Sequence, residues 1–403
     1  MTDQTPILVP DFITFTLGMI VYFFGANLTK RFAILRDFNI PEPVTGGLAA
    51  ALIVWLLVTI LGREIDFALD TRDQLLVIFF TTIGLNARFS DLARGGRPLA
   101  ILLGLTVGFM VLQNAVALAG VSLFGLPAAA SVLVGSASLI GGHGTAIAWG
   151  PEVAARGVEG AAEMGIAAAT VGLVLAALIG GPIAKVLIER HKLEPRDDEA
   201  PPVVGVEHGS PKLADLDYIG FMRTLVTINI AVILGFAVHR GIDALGIRLP
   251  LFVPCLIMGI VIANVQARFF KSVPQVTGTA VLALVSEFAL SVFLAISLLS
   301  MKLWTLAGLA GPLFVVLGLQ VLLTLAFSTL VLFWAMGRTY RAAVLAAGFG
   351  GFALGATPTA IANMTAVTKR YGPAPLAFII LPLVSAFFVD LANAFIIQFF
   401  VDL

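Results

Sequence analysis

Ten apolar stretches decide what this chain can fold into. They lie near 12–28, 44–61, 75–87, 99–124, 161–184, 219–238, 249–267, 276–301, 311–335 and 375–400. Each approaches the ~20 residues that carry an α-helix across a bilayer. Hydrocarbon offers no partner to backbone N–H and C=O groups, so runs of this length must satisfy their own hydrogen bonds as helices. The expectation is an all-α polytopic membrane protein. Composition agrees: 59% of residues are hydrophobic, 12% are charged and the mean hydropathy is +1.02, against roughly 45–50% apolar residues in soluble domains. Asp3 and Asp11, with no basic run ahead of the first apolar stretch, mark that stretch as a retained span and not a cleaved signal. The single cysteine, Cys255, excludes an intrachain disulfide or a multi-cysteine metal site. No basic stripe suited to nucleic acid is present.

Two further apolar stretches, 127–150 and 342–364, are either spans or re-entrant hairpins. The distribution of Lys and Arg separates the two arrangements, because cytoplasmic loops carry the excess. With both stretches as hairpins and the N-terminus outside, 18 of the 24 fall in inside loops and only Arg63, Arg72, Arg156, Arg240, Arg248 and Lys302 fall outside. With both crossing, the count becomes 12 against 12. The hairpin arrangement is therefore expected. The polar segment 189–217, with Pro201, Pro202, His191 and His208, becomes a cytoplasmic linker between halves 1–188 and 218–403. Five spans per half is an odd number, so the second half inserts upside down. The expectation is two inverted-topology repeats, each with a re-entrant hairpin, and both termini outside the inner membrane.

The hairpins carry the chain's clearest internal likeness. Gly-Gly-His-Gly-Thr-Ala-Ile-Ala-Trp runs from Gly141 to Trp149, and Gly-Ala-Thr-Pro-Thr-Ala-Ile-Ala-Asn from Gly355 to Asn363, placing Thr145 and Thr359 214 positions apart. Interrupted helices at corresponding places in two halves point to a transporter's binding site, since the break exposes backbone groups at bilayer depth. Glycine clusters also serve close helix packing. Here, however, Gly141, Gly142 and Gly144 stand with Ser136, Ser138, His143 and Thr145, polar groups that must find partners in the membrane. In the second copy Gly355, Thr357, Thr359 and Asn363 accompany Pro358, which is expected to release the carbonyl of Leu354. These twelve residues are the candidate substrate-binding set, with half-helix N-termini offering N–H groups to a carboxylate.

Acids within spans are few, and each suggests function. Asp390, with Asn393 three residues on along the same helical face, suits a hard cation through oxygen ligands. Glu287, beside Ser286, and the polar Thr82 and Asn86 of the third span complete the candidate cation set. Threonines also bond back to their own helix, and Glu163 reads equally as a helix start. No Lys or Arg lies in the interior of a span, Arg223 standing near the start of the sixth, so an anionic substrate would rely on N–H groups, hydroxyls, amides and co-bound cations. No catalytic residue and no cofactor is expected. Three alternatives stand beside a cation-coupled carrier of carboxylates: a membrane hydrolase using Ser136 or Ser138 with His143, a channel, and a citrate-like carrier or cation/proton antiporter.

Four segments, Ile40–Gly47, Phe80–Ala87, Ile140–Ala146 and Gly355–Met364, resemble signature segments of the bacterial glutamate:sodium symporter family. They spread along most of the chain. The resemblance implies Na⁺-coupled glutamate uptake, inverted five-span repeats with glycine-rich hairpins at the site, and a homodimer working in an elevator-like movement. It also implies a fixed scaffold of spans 1, 2, 6 and 7 around a moving core made of the rest. Trp149 and Asn363 end the two hairpins differently, so their parts in the site need not match.

Overall fold

The computed structural model describes residues 6–37, 40–195, 217–244, 250–270, 273–303 and 310–403. Most of the expected linker, including Pro201, Pro202 and His208, lies outside them. The helices in chain order are α1 (Asp11–Arg31), α2 (Ala33–Asp37), α3 (Glu42–Leu61), α4 (Asp70–Asn86), α5 (Phe89–Ser122), α6 (Gly142–Ala154), α7 (Ala161–His191) and α8 (Tyr218–Ala244). They continue with α9 (Phe252–Phe269), α10 (Ala280–Leu299), α11 (Ala310–Ala326), α12 (Phe333–Ala335), α13 (Tyr340–Leu354), α14 (Thr357–Tyr371) and α15 (Ala377–Val401). A 3₁₀ turn, Ala128–Val134, precedes α6, and a π-helical stretch, Phe327–Leu332, joins α11 to α12. Two short strands, β1 (Ile7–Val9) and β2 (Ile65–Phe67), pair in parallel with Ile7 opposite Ile65.

Among the described residues, eight helices are long and apolar enough to cross a membrane, and nine if the two arms of α15, Ala377–Ser385 and Val389–Val401, count as one span bent by 45°. Ten were expected from the sequence. The missing one is α4, which has 17 residues and opens on Asp70 and Asp73, so its apolar part is shorter than a full crossing. The chain is nonetheless a helical multi-span membrane protein.

Local chemistry sets the helix ends. Pro41 and Pro43 open α3, where a missing N–H does no harm, and Gly62 closes it in the left-handed conformation (φ 64°) with its N–H on the Val58 carbonyl. Thr279 and Thr339 cap α10 and α13 by accepting from the N–H groups of Leu282 and Ala342.

The helices gather into two compact units. One comprises Met1–Ala87 and Pro211–Gly308, and the other Arg88–Ser210 and Leu309–Leu403. The first holds α1–α4 and α8–α10, so the third and eighth expected spans group with the first, second, sixth and seventh. The scaffold implied by the resemblance comprised only those four. Its helices meet backbone to backbone: a methyl on Gly25 would lie 2.0 Å from the Glu42 carbonyl, and one on Gly46 2.1 Å from that of Val21, so α1 and α3 touch because neither glycine carries a side chain. The second unit holds α5–α7 and α11–α15. Its interior is aromatic, with the Phe109 ring centroid 5.0 Å from Phe327 and 5.2 Å from Phe349.

Candidate functional site

The second unit contains two helix breaks, at the positions where the sequence repeats itself. In the first, the 3₁₀ turn ends at Val134, the chain turns through Gly135–Gly141, and α6 starts at Gly142 (φ 72°). In the second, α13 ends at Leu354, Gly355 and Ala356 leave helical geometry, and α14 starts at Thr357. Neither α6 nor α14 has a side-chain cap at its N-terminus. First-turn N–H groups of Gly142, His143 and Gly144 in one, and of Thr357 and Thr359 in the other, are therefore available to an anion.

Pro358 stands at the second position of α14 and is exposed. There it removes a donor the helix does not use. The Leu354 carbonyl is released by the break at Gly355, and not, as expected from the sequence, by Pro358.

Helix α7 touches both breaks. His143 Nε2 lies 3.0 Å from Thr170 Oγ1. The Thr170 hydroxyl donates to the Ile166 carbonyl at 2.8 Å, so it accepts from His143 and places the ring proton on Nε2. Two residues on, a methyl at Gly172 would sit 2.4 Å from the Leu354 carbonyl. Thr170 and Gly172 differ by about 3 Å along the helix axis, so the two breaks meet α7 within one turn of each other.

α15 also touches both. Thr357 Oγ1 donates to Ser385 Oγ at 2.9 Å, at the start of the bend. Asn393 Nδ2 donates to the Ser136 carbonyl at 3.1 Å. Between these two anchors lies Asp390, half-buried and with no hydrogen bond or ion pair to any described residue. Asn393 Oδ1, one turn on along α15, and Thr359 Oγ1, in the first turn of α14, are among the oxygen atoms buried without a partner. A buried polar atom left unpaired costs about 1–3 kcal/mol, and native structures rarely retain one without a use.

Other sequence candidates hold the protein together. Ser138 Oγ donates to the Leu133 carbonyl at 2.5 Å, and Ser136 Oγ accepts from Asn114 Nδ2 at 2.8 Å. Neither serine bonds His143, so the nucleophile–base pair of the hydrolase reading is not formed. Gly141 donates to the Ser136 carbonyl at 2.9 Å. Asn363 Nδ2 donates to the Ala176 carbonyl at 3.0 Å, and packs so closely on Gly180 that a methyl there would lie 2.3 Å from its amide. Thr145 is buried in the first α6 turns, its Cγ2 against Gly141.

The first unit contains the remaining candidates for Na⁺. Thr82 Oγ1 lies 2.8 Å from Ser286 Oγ and 2.7 Å from the Phe79 carbonyl. Asn86 Oδ1 accepts from the Gly278 N–H at 3.0 Å. Glu287 is exposed, on the same side of α10 as Leu284 and Phe288. The expected five-residue set is thus divided, with Asp390 and Asn393 in one unit and Thr82, Asn86 and Glu287 in the other. Among the described residues no group of three or more His, Cys, Asp or Glu side chains comes together.

Sequence reading passed over three amides. Gln113, Asn114 and Gln320 are fully buried within apolar helices. Their signal was available in the sequence, as amides in the middle of apolar runs.

The sodium/glutamate symporter family model matches residues 9–373. Over 391 residues the chain is 40% identical to a sodium/glutamate symporter of Haemophilus influenzae, covering 96% of this chain and 95% of that protein. It is 38% identical over 399 residues to a sodium/glutamate symporter of Escherichia coli, covering 97% of each.

Proposed function

From the premise that the chain belongs to the sodium/glutamate symporter family and moves glutamate together with Na⁺, we propose that both are bound in the unit formed by Arg88–Ser210 and Leu309–Leu403. Glutamate's carboxylates are received by the uncapped N-termini of α6 and α14, with the Thr359 hydroxyl as a further ligand. Na⁺ is held by Asn393 Oδ1 and the Asp390 carboxylate, oxygen ligands of the kind a hard cation takes. One Na⁺ beside the substrate also answers the lack of a fixed cationic side chain, because it supplies the counter-charge that no Lys or Arg supplies. Coupling then follows, since each ligand improves the site for the other.

The single observation that carries this reading is the buried, unpartnered hydroxyl of Thr359 in the first turn of an uncapped helix that starts at a break. On this reading the two broken segments are re-entrant hairpins of two inverted five-span repeats, and the protein is a homodimer of the inner membrane with both termini outside. The unit with the breaks carries its cargo in an elevator-like movement while the other stays fixed in the bilayer. The test is uptake of labelled acids into proteoliposomes under imposed Na⁺, K⁺ and proton gradients. Glutamate uptake driven by Na⁺ alone is the expected result. Uptake driven equally well by a proton gradient, or faster uptake of citrate, would replace this reading with a different carrier.

A further inference from the structure

Two buried glutamines join the helix breaks crosswise. Gln113, in the first half of the chain, donates Nε2 to the Ala353 carbonyl at 2.9 Å, just ahead of the break in the second half. Gln320, in the second half, donates Nε2 to the Val134 carbonyl at 3.2 Å, just ahead of the break in the first half. The same Gln320 amide lies 2.8 Å from the backbone carbonyl of Gln113, so the two braces are linked. Asn114, next to Gln113 on α5, takes the Ser136 N–H on its Oδ1 at 2.8 Å. Adjacent residues of one helix thus hold both breaks.

The orientation of these amides is not ambiguous, because every partner of Gln113 Nε2 and Gln320 Nε2 is a carbonyl oxygen and only the NH₂ end can face it. Their other ends, Gln113 Oε1 and Gln320 Oε1, are buried and have no partner. A leucine or methionine would avoid that penalty. What the glutamine adds is the donor. A helix that stops at Leu354 has lost the amide that would have bonded the Ala353 carbonyl, and an unpaired carbonyl at bilayer depth is expensive.

We propose that Gln113 and Gln320 are positioning residues that fix the separation of the two helix breaks, and so set the length of dicarboxylic amino acid the carrier accepts. The proposal rests on the breaks being the glutamate site. With the brace intact, the N-termini of α6 and α14 keep one spacing, matched to one substrate. Without it, each break relaxes independently, glutamate binds more weakly, and a shorter acid loses less than glutamate does.

The experiment compares wild type with Gln113→Met, Gln320→Met, Gln113→Glu and Gln320→Glu in proteoliposomes, measuring KM and Vmax for glutamate and for aspartate at saturating Na⁺. Each Met variant keeps side-chain volume and removes the donor. It should raise the glutamate KM about tenfold, the worth of one such hydrogen bond near its upper limit, and shrink the ratio of glutamate to aspartate kcat/KM. Each Glu variant has a donor only while protonated. Relative to wild type its uptake should therefore fall as pH rises from about 5.5 to about 8.5, a range reached because burial raises a carboxyl's pKa. The Met variants should show no such slope. Equal losses in Met and Glu variants at every pH, or an unchanged selectivity ratio in both Met variants, would overturn the brace. Parallel Thr359→Val and Gly144→Val samples separate this from failure of the site itself: if both variants transport normally, the breaks are not the glutamate site.

Discussion

Asn393 donates its amide to the Ser136 carbonyl at 3.1 Å while its own carbonyl oxygen stays buried and unpartnered. The donor end ties α15 to the first helix break, and this fixes where the acceptor end sits. Asp390 precedes it by three residues on the same helix, so the two oxygen-bearing groups share a face. Substrate geometry and cation geometry are thereby linked through one side chain.

Asp390→Asn keeps the side chain's size and removes its charge. The Na⁺ concentration giving half-maximal uptake should rise by about tenfold or more, taking a charge–cation contact as worth at least ~1.4 kcal/mol. Reciprocity requires glutamate affinity to fall most at low Na⁺ and to recover at saturating Na⁺. Na⁺ titrations of glutamate uptake check this. An unaltered Na⁺ dependence would move the cation elsewhere, with the exposed Glu287 of α10 the next residue to test.

Thr359→Val should separate stability from transport. The substitution removes a buried hydroxyl that has no partner, so thermal stability of the substrate-free protein should stay the same or rise, by up to ~1–3 kcal/mol. Glutamate uptake should nevertheless fall, and Thr359→Ser should restore it. A valine variant that transports normally leaves Thr359 outside the site.

Much of this was legible in the sequence because membrane physics leaves few options. Apolar length gave the spans, and the two glycine-containing segments gave the breaks. α4 was less legible, since Asp70, Arg72 and Asp73 belong to the helix but not to its apolar part. Pro358 was misread because its effect depends on position: it frees a carbonyl inside a helix and frees nothing in a first turn. The partners of Gln113, Gln320 and Asn393 were not legible. They lie 240, 207 and 257 residues away along the chain, and no local pattern selects one carbonyl among many. Nor does residue type divide Thr82 from Thr359. Both are buried, and only their neighbours leave one bonded to Ser286 and the other alone.

The orientation expected from the charge count, 18 Lys and Arg inside against 6 outside, has its own test. A protease site inserted at Pro202 should be cut only from the cytoplasmic face. Cleavage from outside would mean that both broken segments cross the membrane, and the inverted repeat would fail with it.

The last prediction uses Cys255, which is buried in α9 with Sγ 3.9 Å from the Val232 carbonyl. Cys255→Ser should be tolerated, since a serine hydroxyl within a helix can donate to the carbonyl one turn back in its own helix. In this background, single cysteines at Thr145 and Thr359 report on the two breaks. If one hairpin enters from each face, impermeant thiol reagents should reach each cysteine mainly from its own side. A carrier that alternates access should also give some labelling from the opposite side, because its two states interconvert. Glutamate with Na⁺ should slow both reactions, and Na⁺ alone should change the balance between sides. The comparison of both positions matters, because Thr145 packs against Gly141 whereas the Thr359 hydroxyl has no partner. Protection should therefore be stronger at Thr359. Labelling indifferent to both ligands at both positions would reduce the repeated Thr-Ala-Ile-Ala segments to packing motifs, and the binding site would have to be sought away from the breaks.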